Sequence, residues 1–506
     1  MKRLFFALLI SSLCLCACSR NNRQETSRGT GEKHGGVLRM ITGIMPQVLG
    51  YPPEMGPQDI TRAFPGLEPL MTYDSNLEIV PFLCEKVDIE PEKAMVTFHL
   101  KKGIKFHDGS ELTAETVKWN FQISIDAKNL EYYEMVKSID VLDDYTLRVT
   151  LTGYNNQIIH SLGYFFVISR ESFDANGLEW SRVNCVGTGP FKFVEFKRDA
   201  HVKWTRFEDY WQKGFPYLDG IEVRFIPDAV TASSIMETQQ ADMWLSPGAQ
   251  YQRKLTDLGL ARQANAGVNM WLLPNYKRAD GKWSNKKLRE ALEYAIDRDA
   301  LTNVFGYGYS LPMSLIAPTG DWGYDPNLKR NYDPEKARQL IKEAGYTAPV
   351  KIKMLTDANG QTIATGIKGF LDAVGFDCEL DVADSGRYFS SIYTTGWEDI
   401  CFASSRANAN YLLTITRWFS PEATVLPDFV KPPELVRMWS EAIKKVSIAE
   451  QEAATREIVK YVHDEALICP LYQLPTSVVI QTWVHSEYLK YGFSQWDMSR
   501  EWMEER

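Results

Sequence analysis

The sequence has no Gly-x-Ser-x-Gly run to raise a nucleophilic serine on a strand-to-helix elbow. It has no His-Glu-x-x-His pair to seat zinc on a helix either. The commonest hydrolase signatures are therefore missing. Histidine is scarce, with seven dispersed residues in 506, so neither a histidine-rich metal cluster nor any other bound cofactor is expected. Cys84, Cys185, Cys378, Cys401 and Cys469 are scattered, without a Cys-x-x-Cys spacing. That argues against a disulfide framework and for buried free thiols, with a single bridge left open. The formal net charge is -9 and no basic stripe occurs, which speaks against a nucleic-acid partner. Gly187-Thr188-Gly189-Pro190 lacks the Lys-Ser/Thr ending of a phosphate loop, and its proline removes an amide donor, so a structural turn is expected there.

One long apolar run does occur, at the N-terminus. Lys2 and Arg3 precede residues 4–15, which are almost wholly apolar but too few to span a bilayer, as in a signal peptide. The run ends in Leu15-Cys16-Ala17-Cys18, which resembles the bacterial lipobox. The resemblance implies cleavage before Cys18 and lipidation of its thiol, so that residues 1–17 form the signal. An ordinary secretory signal cut near Ala17 is the alternative. Two or more acyl chains would hold the protein stably at a membrane. Residues 18–36 carry no large apolar side chain beyond the lipid site and should form a flexible tether spanning on the order of 20–25 Å.

The remainder, about 490 residues, is enough for two or three domains. Its composition, 44% hydrophobic and 24% charged, is that of a globular protein. Val96-Thr97-Phe98-His99-Leu100 alternates as a strand with Val96, Phe98 and Leu100 on one face, and His99 on the polar face reads as solvated or capping. The Phe106-His107-Asp108-Gly109-Ser110 segment reads as a turn rather than an acid–base pair. Thr113 then caps a helix that buries Ala114, Val117 and Phe121. Leu288, Ala291, Leu292, Ala295 and Ile296 share one helical face, with Gly306 beyond the run. Asp333-Pro334-Glu335 starts a helix that Gly345 stops. A strand at 350–355 and a helix at 363–374 suggest a β-α-β unit, and Ser447 with Glu450 forms a capping box before a helix at 448–464. The pattern is mixed α/β with α+β character, without the regular alternation of a barrel. Aromatic residues make up 12%. Residues 397–418 are the best candidate cleft lining, because aromatic and amide side chains occur there without a clear strand or helix pattern.

Several of these segments, in order, resemble extracytoplasmic solute-binding proteins of family 5, the peptide- and nickel-type binding components of ABC importers. They are Leu67-Glu68-Pro69-Leu70-Met71-Thr72-Tyr73-Asp74 with Ile79-Val80-Pro81; residues 96–117; Val186-Gly187-Thr188-Gly189-Pro190-Phe191-Lys192; residues 288–298; and residues 332–346. The resemblance implies a two-lobed periplasmic-binding-protein-like fold with a subdomain inserted in the first lobe. Residues 37–66, 186–268 and 470–506 would build the main lobe, 67–185 the insertion and 269–469 the second lobe.

The same resemblance implies a binding protein rather than an enzyme, with no catalytic residues. It would capture a small solute, first of all an oligopeptide, by lobe closure. Its partners would be that ligand, permease and ATPase subunits, and the membrane through Cys18, with the protein a monomer outside the cytoplasm. A sugar-like, carboxylate or metal-chelate ligand and a sensory role remain alternatives. Peptide binders of the family often hold the ligand ammonium with an Asp in the second lobe, yet no Asp or Glu occurs between Asp399 and Glu422 here. Arg406 is a candidate partner for a carboxylate or phosphonate, and Asn408 and Asn410 for neutral polar groups. A surface or salt-bridged Arg406 is the alternative reading. Met45, Tyr51, Trp271, Trp397 and Tyr411 complete the expected ligand contacts.

Overall fold

The computed structural model describes residues 35–74, 78–406, 410–421, 423, 425–487 and 496–505. The signal segment, Cys18, most of the tether and Asn408 lie outside the described residues.

Eleven strands form one sheet that runs through most of the molecule. Its order is Phe376–Ala383, Val350–Asp357, Ile400–Arg406, Ala261–Pro274, Cys469–Ile480, Met243–Leu245, Val37–Thr42, Gly220–Phe225, His201–Arg206 and Phe191–Lys197, with Leu311–Pro312 pairing on Cys469–Ile480. Val350–Asp357 and Phe376–Ala383 are parallel, and Gln361–Val374 is the helix between them, so the expected β-α-β unit is present. A separate antiparallel sheet orders Cys84–Glu90, Met95–Leu100, Thr146–Leu151 and Val136–Asp143. Val96 and Phe98 are fully buried on its inner face against Ala114, Val117 and Phe121 of the helix Ala114–Asp126. Thr113 accepts from the Thr116 amide and caps that helix.

The apolar cores follow this division. One lies within 38–67, 166–245 and 478–498, and a second within 70–167. Two more cover opposite faces of the sheet half formed by Ile400–Arg406 and Ala261–Pro274. Alternate residues point to each: Trp271, Leu273, Cys401 and Ala403 to one, Leu272, Ile400 and Phe402 to the other.

Two local readings change. The run from Leu288 to Ile296 is a helix only over Lys286–Ala295. Ile296 turns extended, and Asp297 caps a second helix, Arg298–Phe305, by accepting from the Ala300 amide. The segment expected to lack regular structure holds the strand Ile400–Arg406 and the helix Tyr411–Phe419. Both are buried on nearly every side, so neither shows the polar face that a period requires.

The structural-turn readings hold. Asp108 accepts from the Ser110 amide at 3.0 Å, and the His107 ring meets the Gly189 carbonyl at 2.9 Å. A Cβ on Gly187 would lie 2.1 Å from the Gly66 oxygen, so the Gly-Thr-Gly-Pro turn serves a close backbone approach. His99 pairs across the strands with Asp88 at 3.0 Å. All five cysteines are buried free thiols.

Candidate functional site

Among the described residues two strands pass from one half of the large sheet to the other, Ala261–Pro274 and Cys469–Ile480. Residues 261–265 pair with 476–480, beside Met243–Leu245, and 268–274 pair with Ile400–Arg406 on the far side. The register shifts between Asn265 and Val268, where Pro475 stands opposite without an amide to donate. Gly267 sits in that bulge. A Cβ there would lie 2.1 Å from the Leu474 oxygen and 2.4 Å from the Thr476 nitrogen. The two halves therefore meet at a bulged crossing that requires glycine, which is where a hinge motion costs the fewest ladder bonds.

The halves also touch through side chains. Tyr309 meets Thr256 at 2.9 Å, and its ring lies 4.2 Å under the Arg262 guanidinium. The helix Asn156–Gly163, which shares its apolar core with the four-stranded sheet, docks on two helix ends of the second half. The Asn156 amide donates to the Ile443 carbonyl at 2.8 Å, and its Nδ2 donates to the Ala442 and Lys445 carbonyls at 3.0 and 2.9 Å. Ala442 and Ile443 stand at the C-terminal end of Pro433–Ala442 and Lys445 just beyond it, and the Ala442 carbonyl also accepts from the Lys445 amide at 3.1 Å. One turn on, the His160 ring lies between Tyr73 Oη, 3.0 Å from Nδ1, and Asn410 Nδ2, 3.4 Å from Nε2. Tyr73 and Tyr164 extend this contact as an aromatic wall, with ring centres 5.4 Å apart. On their other side is a cavity of about 430 Å³ whose walls include Phe64, Phe166, Trp496 and Glu68.

The structure distributes the sequence-derived candidates as follows. Arg406 ends its strand opposite Val268, one residue from Gly267, which places it at the crossing. Asn410 is buried and caps Tyr411–Phe419 by accepting from the Leu412 amide at 2.8 Å, while offering Nδ2 to the first half. Arg406 thus ends a strand and Asn410, four positions on, caps a helix. Tyr411 is buried and donates to the Ile316 carbonyl, and Trp397 donates Nε1 to the Leu273 carbonyl at 3.0 Å. Trp271 is 1% exposed and packs edge-on against Trp418 at 4.5 Å, with no hydrogen-bond acceptor for its indole among the described residues. Met45 takes the Asp199 amide on its sulfur and Tyr51 stacks on Phe173, both within the first half. His160, Asn156 and Gly267 carry no sequence signal. Tyr73 lies in a quoted family segment without being singled out.

Five buried titratable groups set opposite pH dependences. Burial pushes the carboxyls of Glu68, Asp321 and Glu501 up to about 7, in Glu68 and Glu501 against hydrogen bonds that pull them down. Burial holds His107 and His160 down at about 4. A glutamate carboxyl raised in the folded state contributes stability that is full below its ordinary 4.5 and fades as pH rises through 7. A histidine lowered in the folded state contributes stability that is full above 6.5 and fades as pH falls toward 4. Resistance to urea is expected to peak between about pH 5 and 6.5. A midpoint that climbs steadily to pH 8 would contradict this.

Among the described residues no helix is long and apolar enough to cross a membrane, and no three His, Cys, Asp or Glu side chains converge as a metal site. Two lobes joined by two crossing strands, with polar and aromatic groups between them, define a ligand-binding protein of the two-lobed periplasmic type. Residues 78–423 match the family described as bacterial extracellular solute-binding proteins, family 5 Middle, and the chain belongs to that family. It is a solute-binding protein and not an enzyme.

The chain is 32% identical to heme-binding protein A of Haemophilus influenzae over 299 residues, 53% of this chain and about half, 54%, of that one. It is 27% identical to the glutathione-binding protein GsiB of Pectobacterium atrosepticum over 431 residues, 79% and 81% of the two chains. The periplasmic binding protein DppA of Helicobacter pylori, solved with the peptide STSA, shares the fold at a TM-score of 0.77 and 24% identity, covering 94% of this chain and 99% of that one.

Proposed function

We propose that the chain is the lipid-anchored binding component of an ABC importer and delivers an oligopeptide-class solute to its permease by lobe closure. The observation that carries this reading is the family match across 78–423, joined to the glycine-requiring crossing of two strands. A ligand that touches both lobes stabilises the closed form by its differential affinity. Closure also removes water and strengthens every polar contact. The peptide class is supported by relatives, among them the glutathione-binding protein and a dipeptide-binding protein of Escherichia coli. In this reading residues 37–66, 186–268 and 470–506 form the main lobe, 67–185 its insertion and 269–469 the second lobe. Cys18 carries the lipid, and the protein works as a monomer outside the cytoplasm.

A non-peptide, anionic ligand is the second reading. It is favoured by the absence of any acid between Asp399 and Glu422, where Arg406 stands instead. Native mass spectrometry of the purified protein with its co-purifying ligand separates the two. A mass that matches no peptide would retire the first.

Arg406→Ala is expected to weaken binding of a carboxylate-bearing ligand by more than about 1 kcal/mol, because a charged hydrogen bond in a closed cleft is lost. Titration calorimetry on the co-purifying ligand reads it. Unchanged affinity would discard the role.

A further inference from the structure

We infer that the inserted subdomain is a clasp on the second lobe whose His160 contact closes only with a neutral imidazole, so that acidification opens the protein. The hydrogen bonding around the ring decides this. Asn410 Oδ1 is committed to the Leu412 amide, so the group that faces His160 Nε2 is the NH2 of the Asn410 side chain. Nε2 must therefore accept, and the ring proton sits on Nδ1, donated to Tyr73 Oη. A second proton would set an N–H against an N–H across the lobe contact.

Among the described residues no carboxylate offsets that charge on His160. Among the described residues the ring faces the phenol of Tyr73 from the first lobe, itself backed by Tyr164, and the Asn410 cap of Tyr411–Phe419 from the second. The amide end of that helix disfavours a cation further. Glu131 acts on Tyr73, whose phenol burial holds well above its ordinary value, and burial alone accounts for the lowering of His160.

The rest of the clasp does not titrate. Asn156 holds the carbonyls of Ala442, Ile443 and Lys445 at any pH. The pH response therefore belongs to one ring. With its closed-form value at about 4 and the ordinary 6.5 in the open form, the closed-to-open ratio should fall on the order of 30-fold between pH 7.5 and pH 5. This inference rests on lobe closure and not on the ligand class, so it stands or falls apart from the proposed substrate.

The test is carried out on the purified intact protein without added ligand. Nitrogen NMR of the labelled histidines follows His160 directly, and small-angle X-ray scattering follows the radius of gyration from pH 7.5 to 4.5. The expected result is a His160 that titrates well below 6.5 and a radius that grows on acidification. His160→Gln, whose amide can accept from Asn410 and donate to Tyr73, should stay compact across the range. Asn410→Asp keeps the helix cap but offers an acceptor to the imidazolium, and should raise the His160 value and preserve closure at pH 5. A His160 that titrates at its ordinary value, or scattering profiles that coincide for the wild type and His160→Gln, would overturn the inference.

Discussion

Gly267→Val is expected to cost roughly 2–4 kcal/mol of stability and to slow or abolish lobe closure. A β-carbon at this position meets backbone atoms, the Leu474 oxygen and the Thr476 nitrogen, and not the end of a movable side chain. Relief requires the two crossing strands to separate at their bulge, where the ladder already skips a rung as it does again between Met270 and Trp271. Strand residues normally favour valine, so a propensity argument alone gives the opposite sign. Urea unfolding should show a lower midpoint with an unchanged slope. A midpoint within about 0.5 kcal/mol of wild type would mean that the crossing relaxes freely, and the hinge assignment would lose its footing.

Glu68→Ala should be as damaging, at about 3–5 kcal/mol, for an electrostatic reason. The carboxylate is buried and accepts from Tyr210 Oη at 2.6 Å, Thr188 Oγ1 at 2.8 Å and Trp211 Nε1 at 3.0 Å. It ties the Leu-Glu-Pro segment to the Gly-Thr-Gly-Pro turn and to the chain at 210–211. Alanine leaves three donors without an acceptor, and the three costs overlap instead of adding. Glu68→Gln keeps one acceptor oxygen for Thr188 and Trp211, while the Tyr210 hydroxyl can turn to accept from the new amide. Its loss should be smaller, about 1–2 kcal/mol. Equal effects of the two substitutions on the urea midpoint would show that the charge matters and the donor count does not.

Both positions belong to segments whose roles differ in legibility. Glu68 lies in a run that resembles the family, yet the sequence does not show that it gathers a serine-like hydroxyl, a phenol and an indole from two distant turns. Gly267 follows Ala266 in a stretch with no turn partner, and nothing local announces a bulge. The caps were plainer. Thr113, Asp333 and Ser447 accept backbone amides three residues on, at Thr116, Lys336 and Glu450, because an N-cap is satisfied within its own turn. The break at Ile296 was hidden by the apolar face that spans both helices, while Asp297 supplied the cap that divides them.

Among the candidate ligand contacts, sequence chemistry selected residue types, and burial sorted them. Tyr411, Trp397 and Trp271 carry aromatic area that the second-lobe core uses. Arg406 and Asn410 lie at the crossing and at the lobe contact. His160 could not be found among seven dispersed histidines, because its significance comes from Tyr73, 87 residues away, and Asn410, 250 residues away.

The sequence by itself determined the family, the mixed α/β class, most helix starts and the turns at 107–110 and 187–190, and it favoured free cysteines while leaving one bridge open. The class, the helix starts and the turns depend on short-range periodicity, capping and spacing, and the family on the resemblance of ordered segments. Only the tertiary structure decided where the lobes cross, which glycine the crossing needs and which side chains face one another across the cleft. Those are contacts between residues hundreds of positions apart, and local propensity carries no information about them.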